Sequence, residues 1–293
     1  SYTGGTLVSA GRLSGNTASL QGAITNNAAV TFSQNTNGTY AGVVSGSGTL
    51  LKSGTGTTTF SGVSTYSGGT EVQQGTLKVE GSTDNSVVTA TSGGTIGGSG
   101  SIGGLIVNSG GTLSPGSSPG TITVSGNATW NPGGNYNWQA YNLEGTAGAA
   151  DGWDLTSISG TLDLSALSLG STFAINLWTL SGISPDVNGP ALNFDEDVDV
   201  PDRWLIATAA GGIVGGNVID ASGRSDQFTV YTSARNGTAG FANALAPGSS
   251  FYISLVGNNV YLNYAIPEPG TYAAAALLTA LGGYVRWRRR RQA

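Results

Sequence analysis

The chain has 293 residues, of which 49 are glycine and only 9% are charged, and its formal net charge is −5. It contains no histidine and no cysteine, which excludes histidine acid–base catalysis, thiol nucleophiles, thiolate metal sites and disulfides. Up to Ala265 there are six basic and fifteen acidic residues, and a body without clustered cations predicts no binding to nucleic acid.

Glycine- and threonine-rich repeats fill residues 1–126. The segment SYTGGTLVSAGRL at residues 1–13 matches TYSGGTEVQQGTL at residues 65–77, an offset of 64. Alternating runs such as TLKV and TITV predict β-strands, and glycine predicts tight corners between them. Such repetition is typical of a solenoid whose coils bury their apolar faces against their neighbours. A β-sandwich is the alternative, because regularly spaced short strands also occur in that fold.

The predicted solenoid has about 20 residues per coil and a coil spacing of about 4.8 Å, so residues 1–265 would form a rod of about 60 Å. We expect parallel coils and no helix longer than two turns in this range. Alternation along the strands predicts that these apolar side chains point inward: Leu50, Val72, Leu77, Val79, Ile106, Leu113, Ile122 and Val124.

One glycine pattern has the spacing of a dinucleotide-binding loop. Gly98, Gly100 and Gly103 fit G-x-G-x-x-G, but a dinucleotide site also needs a following helix and an acidic residue about 20 positions later. Strand and turn residues follow here instead. We interpret the three glycines as solenoid corners and predict no cofactor.

Residues 46–79 resemble the autotransporter-associated β-strand repeat. The residues that fall on its pattern are Gly46, Gly48, Leu50, Lys52, Gly54, Gly56, Thr57, Gly62, Tyr66, Gly68, Gly69, Thr70, Val72, Gly75, Thr76 and Leu77. The resemblance implies a right-handed parallel β-helix, used as the surface-displayed part of bacterial secreted proteins. The predicted fold class is therefore all-β, with residues 127–265 continuing the solenoid as a closing region.

Two groups in residues 127–265 are candidates for sugar chemistry. Asp151, Asp154 and Asp163 include carboxylates that could pair for glycoside hydrolysis, but they surround a turn and have almost no cations near them in sequence. We expect no catalytic residue and no enzyme. Five aromatic residues either fill a coil, which we expect, or form a sugar-stacking strip: Trp130, Tyr136, Trp138, Tyr141 and Trp153.

An acidic loop is predicted at residues 193–202. Asp195, Asp197 and Asp199 lie at alternate positions, a weak candidate for Ca²⁺ because oxygen ligands suit that ion. The loop lacks the central glycine and distal glutamate of an EF-hand. A solvated loop is the expected structure, and no metal site is predicted.

Residues 266–293 differ in composition from everything before them. Pro267-Glu268-Pro269 precede an apolar run at 271–287. Seventeen helical residues extend about 25 Å, the short end of a bilayer span. We predict one C-terminal transmembrane helix, kept in orientation by a cytoplasmic arginine cluster. The cluster consists of Arg286, Arg288, Arg289, Arg290 and Arg291. The alternative is a buried helix followed by a solvated basic tail.

This tail resembles the PEP-CTERM sorting signal, and the chain as a whole resembles PEP-CTERM proteins with autotransporter-associated repeats. The resemblance implies recognition by an exosortase, a membrane protease–transpeptidase, near Pro267-Glu268-Pro269. We expect a chain held transiently in the inner membrane by residues 271–287 and then displayed on the surface of a bacterium with two membranes. Exopolysaccharide or other surface proteins are the expected partners.

The predicted function is that of a structural or adhesive protein of the bacterial envelope or exopolysaccharide matrix. One alternative is a carbohydrate-binding or carbohydrate-cleaving β-helix, which would need a groove with converging carboxylates and exposed aromatic rings. Another is a single-pass membrane protein whose tail is never cleaved.

Overall fold

The computed structural model describes residues 4–195 and 203–267. Within those ranges the chain forms 26 β-strands and no α-helix. The first sixteen strands are β1 (Thr6–Val8), β2 (Arg12–Gly15), β3 (Ile24–Asn26), β4 (Ala29–Ser33), β5 (Gly38–Tyr40), β6 (Val44–Ser45), β7 (Thr49–Ser53), β8 (Thr57–Phe60), β9 (Thr70–Val72), β10 (Gly75–Val79), β11 (Ser82–Ala90), β12 (Gly94–Gly98), β13 (Ser101–Val107), β14 (Thr112–Pro115), β15 (Thr121–Val124) and β16 (Ala128–Trp130). The others are β17 (Asn135–Ala140), β18 (Leu155–Ile158), β19 (Leu162–Asp163), β20 (Phe173–Ile183), β21 (Asp186–Asn188), β22 (Arg203–Ala209), β23 (Ile213–Val214), β24 (Phe228–Tyr231), β25 (Ser250–Val256) and β26 (Asn259–Ala265).

The strands stack in chain order, as expected for a chain that winds in coils. The largest sheet has 14 strands and follows the path β2-β4-β7-β9-β11-β13-β15-β18-β22-β26-β25. A second sheet of nine strands runs from β5 through β8, β10, β12, β14 and β17 to β20, and β1, β3 and β6 form a third. Among the described strands, only the pairs β20–β21, β22–β26 and β25–β26 are antiparallel. The prediction of an all-β fold with parallel coils is confirmed.

The coils lengthen towards the C-terminus. The number of residues per coil is the offset between residues that lie side by side on neighbouring strands. It is 20 between Leu51 and Glu71, rises to 34 between Thr129 and Asp163, and reaches 51 between Asp163 and Val214. The path of the largest sheet has eleven strands, so its ten spacings measure about 48 Å. The rod is shorter than predicted because the later coils use more residues each.

The alternation of inward and outward side chains along the strands predicts the buried core correctly, with one exception. Leu50, Val72, Leu77, Val79, Leu113, Ile122 and Val124 are buried, each 2% exposed or less. Ile106 was predicted to point inward, and this is wrong: it is half-buried, while its neighbours Leu105 and Val107 are buried. Gly104 and Leu105 are both buried, so the alternation of β13 changes phase there, next to a register shift in its pairing with β11.

Gly98, Gly100 and Gly103 lie where β12 ends and β13 begins, and Gly98 has a φ of 103°. Strand, not helix, follows them, and Gly98 and Gly100 form a corner as predicted, whereas Gly103 lies inside β13 and the corner prediction is wrong for it. A column of glycines lines this side of the rod. A Cβ atom placed on Gly62, Gly81 or Gly100 would overlap the carbonyl oxygen of the glycine one coil earlier, at Gly42, Gly62 or Gly81 respectively. We call Gly42, Gly62, Gly81 and Gly100 the glycine corner.

A substitution at the glycine corner should separate two coils. We expect Gly81→Ala to lower the free energy of unfolding by about 1–3 kcal/mol, the usual cost of overpacking. Gly69→Ala is the matched control, because a Cβ there would lie 3.8 Å from the nearest atom, the carbonyl oxygen of Val87. Urea unfolding of both variants checks this. Equal stability of the two variants would contradict the steric role of the corner.

Candidate functional site

The three aspartates considered for catalysis lie in different environments. Asp151 is exposed in a turn and Asp154 is completely buried. Asp163, at the end of β19, accepts hydrogen bonds from the backbone N–H of Ser165, at 2.9 Å, and from its hydroxyl. A solvent-borne substrate does not reach Asp154, so the structure does not assemble a catalytic pair that includes it.

Asp154 instead joins neighbouring coils. One carboxylate oxygen accepts the N–H of Gly120 and the other accepts the N–H of Gln139, both at 2.9 Å. Burial raises the pKa of this carboxyl well above its ordinary value, and the two backbone hydrogen bonds oppose that shift. Since Gly120 precedes β15, Gln139 lies in β17 and Asp154 precedes β18, the side chain ties three segments together. Its role is structural.

The predicted aromatic group fills the coil. Trp130 stacks on Phe173 at 4.8 Å between ring centroids. Three of the five rings are fully buried, one is 9% exposed and one is half-buried: Trp130, Tyr136 and Trp138, then Trp153, then Tyr141. These residues therefore do not form an exposed sugar-stacking strip.

The lysine of the repeat points into the coil. Lys52 is fully buried, and its Nζ donates hydrogen bonds to the carbonyl oxygens of Ser53, Gly54 and Gln74 at 3.0, 2.7 and 2.9 Å. Burial lowers its pKa to about 8. Because Gln74 lies one coil further along, Lys52 holds two successive corners together. Alternation from the inward Leu50 already places Lys52 on the inner face.

The grooves on the surface of the described chain include three that contain charged side chains. One of about 530 Å³ lies on the outer face of the largest sheet and includes Arg12 and Glu71. Another, of about 180 Å³, lies on the second sheet beside Lys78 and Trp178. The largest of these three, about 590 Å³, lies between β24 and β25 and includes Asp226. None of the three brings two carboxylates together.

The groove between β24 and β25, here called the C-terminal groove, combines exposed apolar side chains with a cation. Leu169 and Ile219 lie at its rim and are exposed, and Phe251 lies half-buried in its wall. The guanidinium carbon of Arg224 lies 5.2 Å from the ring centroid of Tyr252. Aliphatic, aromatic and arginine side chains thus share one surface at the end of the rod.

The chain leaves the solenoid beside this groove. β26 ends at Ala265, opposite Ser250, and the next residues of β25 line the C-terminal groove. Ile266 still packs against the core, and Pro267 is the last described residue. The predicted sorting residues Glu268 and Pro269, the run at 271–287 and the five arginines lie outside the described residues.

Of the calcium candidates only Asp195 is described, and Asp197 and Asp199 lie outside the described residues. Residues 4–195 and 203–267 contain no helix that is long and apolar enough to cross a membrane.

Comparison with known families identifies a repeat in this chain. The sequence model of the passenger-associated-transport-repeat matches residues 1–14 and 50–79. A search of curated proteins finds no match. The second matched segment runs from β7 through β10 and contains the inward-pointing Lys52 and Leu77. The prediction of an autotransporter-associated repeat is confirmed for these residues, and in the structure the repeat is a unit of parallel solenoid.

The buried Lys52 should make stability depend on pH. Its pKa is about 8 in the folded chain and near 10.5, the ordinary value, when unfolded. The unfolded chain therefore binds more protons between these values, and stability rises with pH in that window. We expect the free energy of unfolding of the parent chain to increase from pH 8 to pH 10 relative to Lys52→Met. Urea titrations at several pH values measure the difference, and parallel pH curves for the two proteins would contradict the assignment.

Proposed function

We propose that this protein is a surface-associated β-solenoid of a bacterial envelope or exopolysaccharide matrix, with a structural or adhesive role. The observation that carries the proposal is the joining of two features in one chain. A solenoid that contains passenger-associated repeats at residues 1–14 and 50–79 ends at Ala265, and the sequence that resembles a sorting signal begins two residues later at Pro267.

The outer faces of the rod suit a structural or adhesive role. Thr57, Thr76 and Thr95 lie side by side on β8, β10 and β12, so their side chains repeat about every 4.8 Å along the rod. Such a face offers hydroxyl groups at regular intervals to a polysaccharide or to another surface protein. These contacts are spread over many coils and need no single catalytic centre.

In this proposal, the C-terminal tail delivers the protein to the cell surface. Pro267 and Pro269 have no backbone N–H to donate to a neighbouring strand, and a proline at 269 disfavours helical geometry at Glu268. This gives an exosortase an accessible peptide between the solenoid and the membrane segment. Residues 271–287 hold the chain in the inner membrane, and the arginines keep its C-terminus in the cytoplasm because their transfer across the bilayer is costly.

Carbohydrate binding is the second candidate, supported by the groove on the largest sheet. It brings Arg12, Glu71, Gln73 and Asn108 to one surface, a mixture of hydrogen-bond donors and acceptors that suits a neutral glycan. This candidate is compatible with surface display and differs from the first only in requiring one defined binding site.

Replacing Pro267-Glu268-Pro269 by three alanines tests the delivery step. In the native bacterium we expect the uncleaved chain to accumulate in the inner membrane, because the processing site is lost while the anchor remains. Pro247→Ala, in an exposed loop, is the matched control and should leave processing unchanged. Fractionation and mass spectrometry of the C-terminus measure both. A triple variant that reaches the surface at parental size and level would contradict processing at this motif.

A further inference from the structure

The end of the rod from which the chain exits carries exposed apolar side chains. Leu169 is 79% exposed and Ile219 is 52% exposed, and both line the C-terminal groove. Phe228 and Phe251 are half-buried beneath them. Exposed apolar residues gathered at one surface commonly mark a contact with a partner or a membrane.

The length of the connection limits how far this surface lies from the proposed anchor. Strand β26 ends at Ala265, and the apolar run begins at Thr271. Six residue steps extend at most about 20 Å when fully stretched. A bilayer crossed by residues 271–287 therefore lies within about 20 Å of the end of the solenoid.

We infer that the C-terminal groove and its rim are a membrane-contacting surface, which seats the rod end-on against the lipid while the tail is uncleaved. The inference rests on the proposed membrane anchorage and adds the partner of this surface, a lipid headgroup and acyl boundary. Leu169 and Ile219 supply apolar area to enter that boundary. Tyr252 and Arg224 are residue types that occupy membrane interfaces, with apolar stems in the lipid and polar ends in water.

The charges that line the C-terminal groove favour zwitterionic lipid over anionic lipid as its partner. Arg224 and Asp226 both line the groove, so their charges offset each other and leave no basic patch. Contact is therefore driven by apolar burial and by the tether. Seating the end of the solenoid on the bilayer also holds Pro267, two residues after the end of β26, at the level where a membrane protease acts.

Val63, a similarly exposed residue far from the C-terminal groove, supplies the control. Val63 is 63% exposed. It lies five strand spacings from β22, about 24 Å, through the paired residues Ser82, Ser101, Thr123, Ser157 and Thr208. A rod seated end-on keeps Val63 away from the lipid.

The chain contains no cysteine, so single labels can be placed without removing native thiols. Leu169→Cys, Ile219→Cys and Val63→Cys are made in the full chain, labelled with an environment-sensitive fluorophore and reconstituted into phosphatidylcholine vesicles. Quenching by lipids with a nitroxide near the headgroup is then measured. We expect labels at positions 169 and 219 to be quenched several-fold more strongly than the label at position 63.

Resistance to alkaline carbonate extraction separates this inference from the anchorage on which it rests. A carbonate-resistant chain with equal quenching at all three positions would contradict the end-on contact alone. Release of the chain by carbonate would contradict the membrane anchor and, with it, the inference. Strong quenching at positions 169 and 219 in a carbonate-resistant chain supports both.

Discussion

The close approach of successive coils at the glycine corner is the constraint on which the structure depends. The carbonyl oxygen of Gly62 occupies the place that a side chain on Gly81 would need, and Gly81 stands in the same relation to Gly100. A side chain there would push the coils beyond the spacing that parallel strand pairing allows. The inward alternation of apolar residues works only while that spacing holds. The high glycine content is thus a geometric requirement at the corners.

The same stacking explains why charged residues can be buried here. A solenoid corner directs backbone N–H and C=O groups inward, and buried groups of this kind need partners. Lys52 supplies donors to three carbonyl groups, and Asp154 supplies acceptors to two N–H groups. Lys52 therefore stabilises two successive corners, and Asp154 ties three segments of neighbouring coils together.

Much of the regular part of this fold follows from the sequence, because alternation from one inward residue fixes the next. Leu77 and Val79 were predicted in this way, and the inward position of Lys52 follows from Leu50 by the same rule. Ile106 was predicted inward by the same rule, and this is wrong because the phase change at Gly104 has no local signal. The 64-residue repeat in the sequence also does not place equivalent residues in the same sheet. Thr6 lies in the three-stranded sheet, whereas its counterpart Thr70 lies in the largest sheet.

The candidate functional site likewise has one part that the sequence predicts and one part that only the structure shows. The proposed sorting tail could be predicted from sequence because its apolar run and arginine cluster are contiguous. The C-terminal groove is not, because it brings together Leu169, Ile219 and Tyr252 across two long coils that carry no repeat. The delivery signal is a prediction from the sequence of the tail, and the structure shows the surface at the end of the rod from which that tail leaves.

The in-register stacking of the repeat is the central claim, and a pair of engineered cysteines tests it most directly. Leu51 and Glu71 lie side by side on β7 and β9, about 4.8 Å apart, within the range that a disulfide bridges. Oxidation of Leu51→Cys/Glu71→Cys should give an intramolecular disulfide. Leu51→Cys/Gln73→Cys, displaced by two residues to about 8 Å, should stay reduced. Equal cross-linking of both pairs, or cross-linking of the displaced pair alone, would contradict the account.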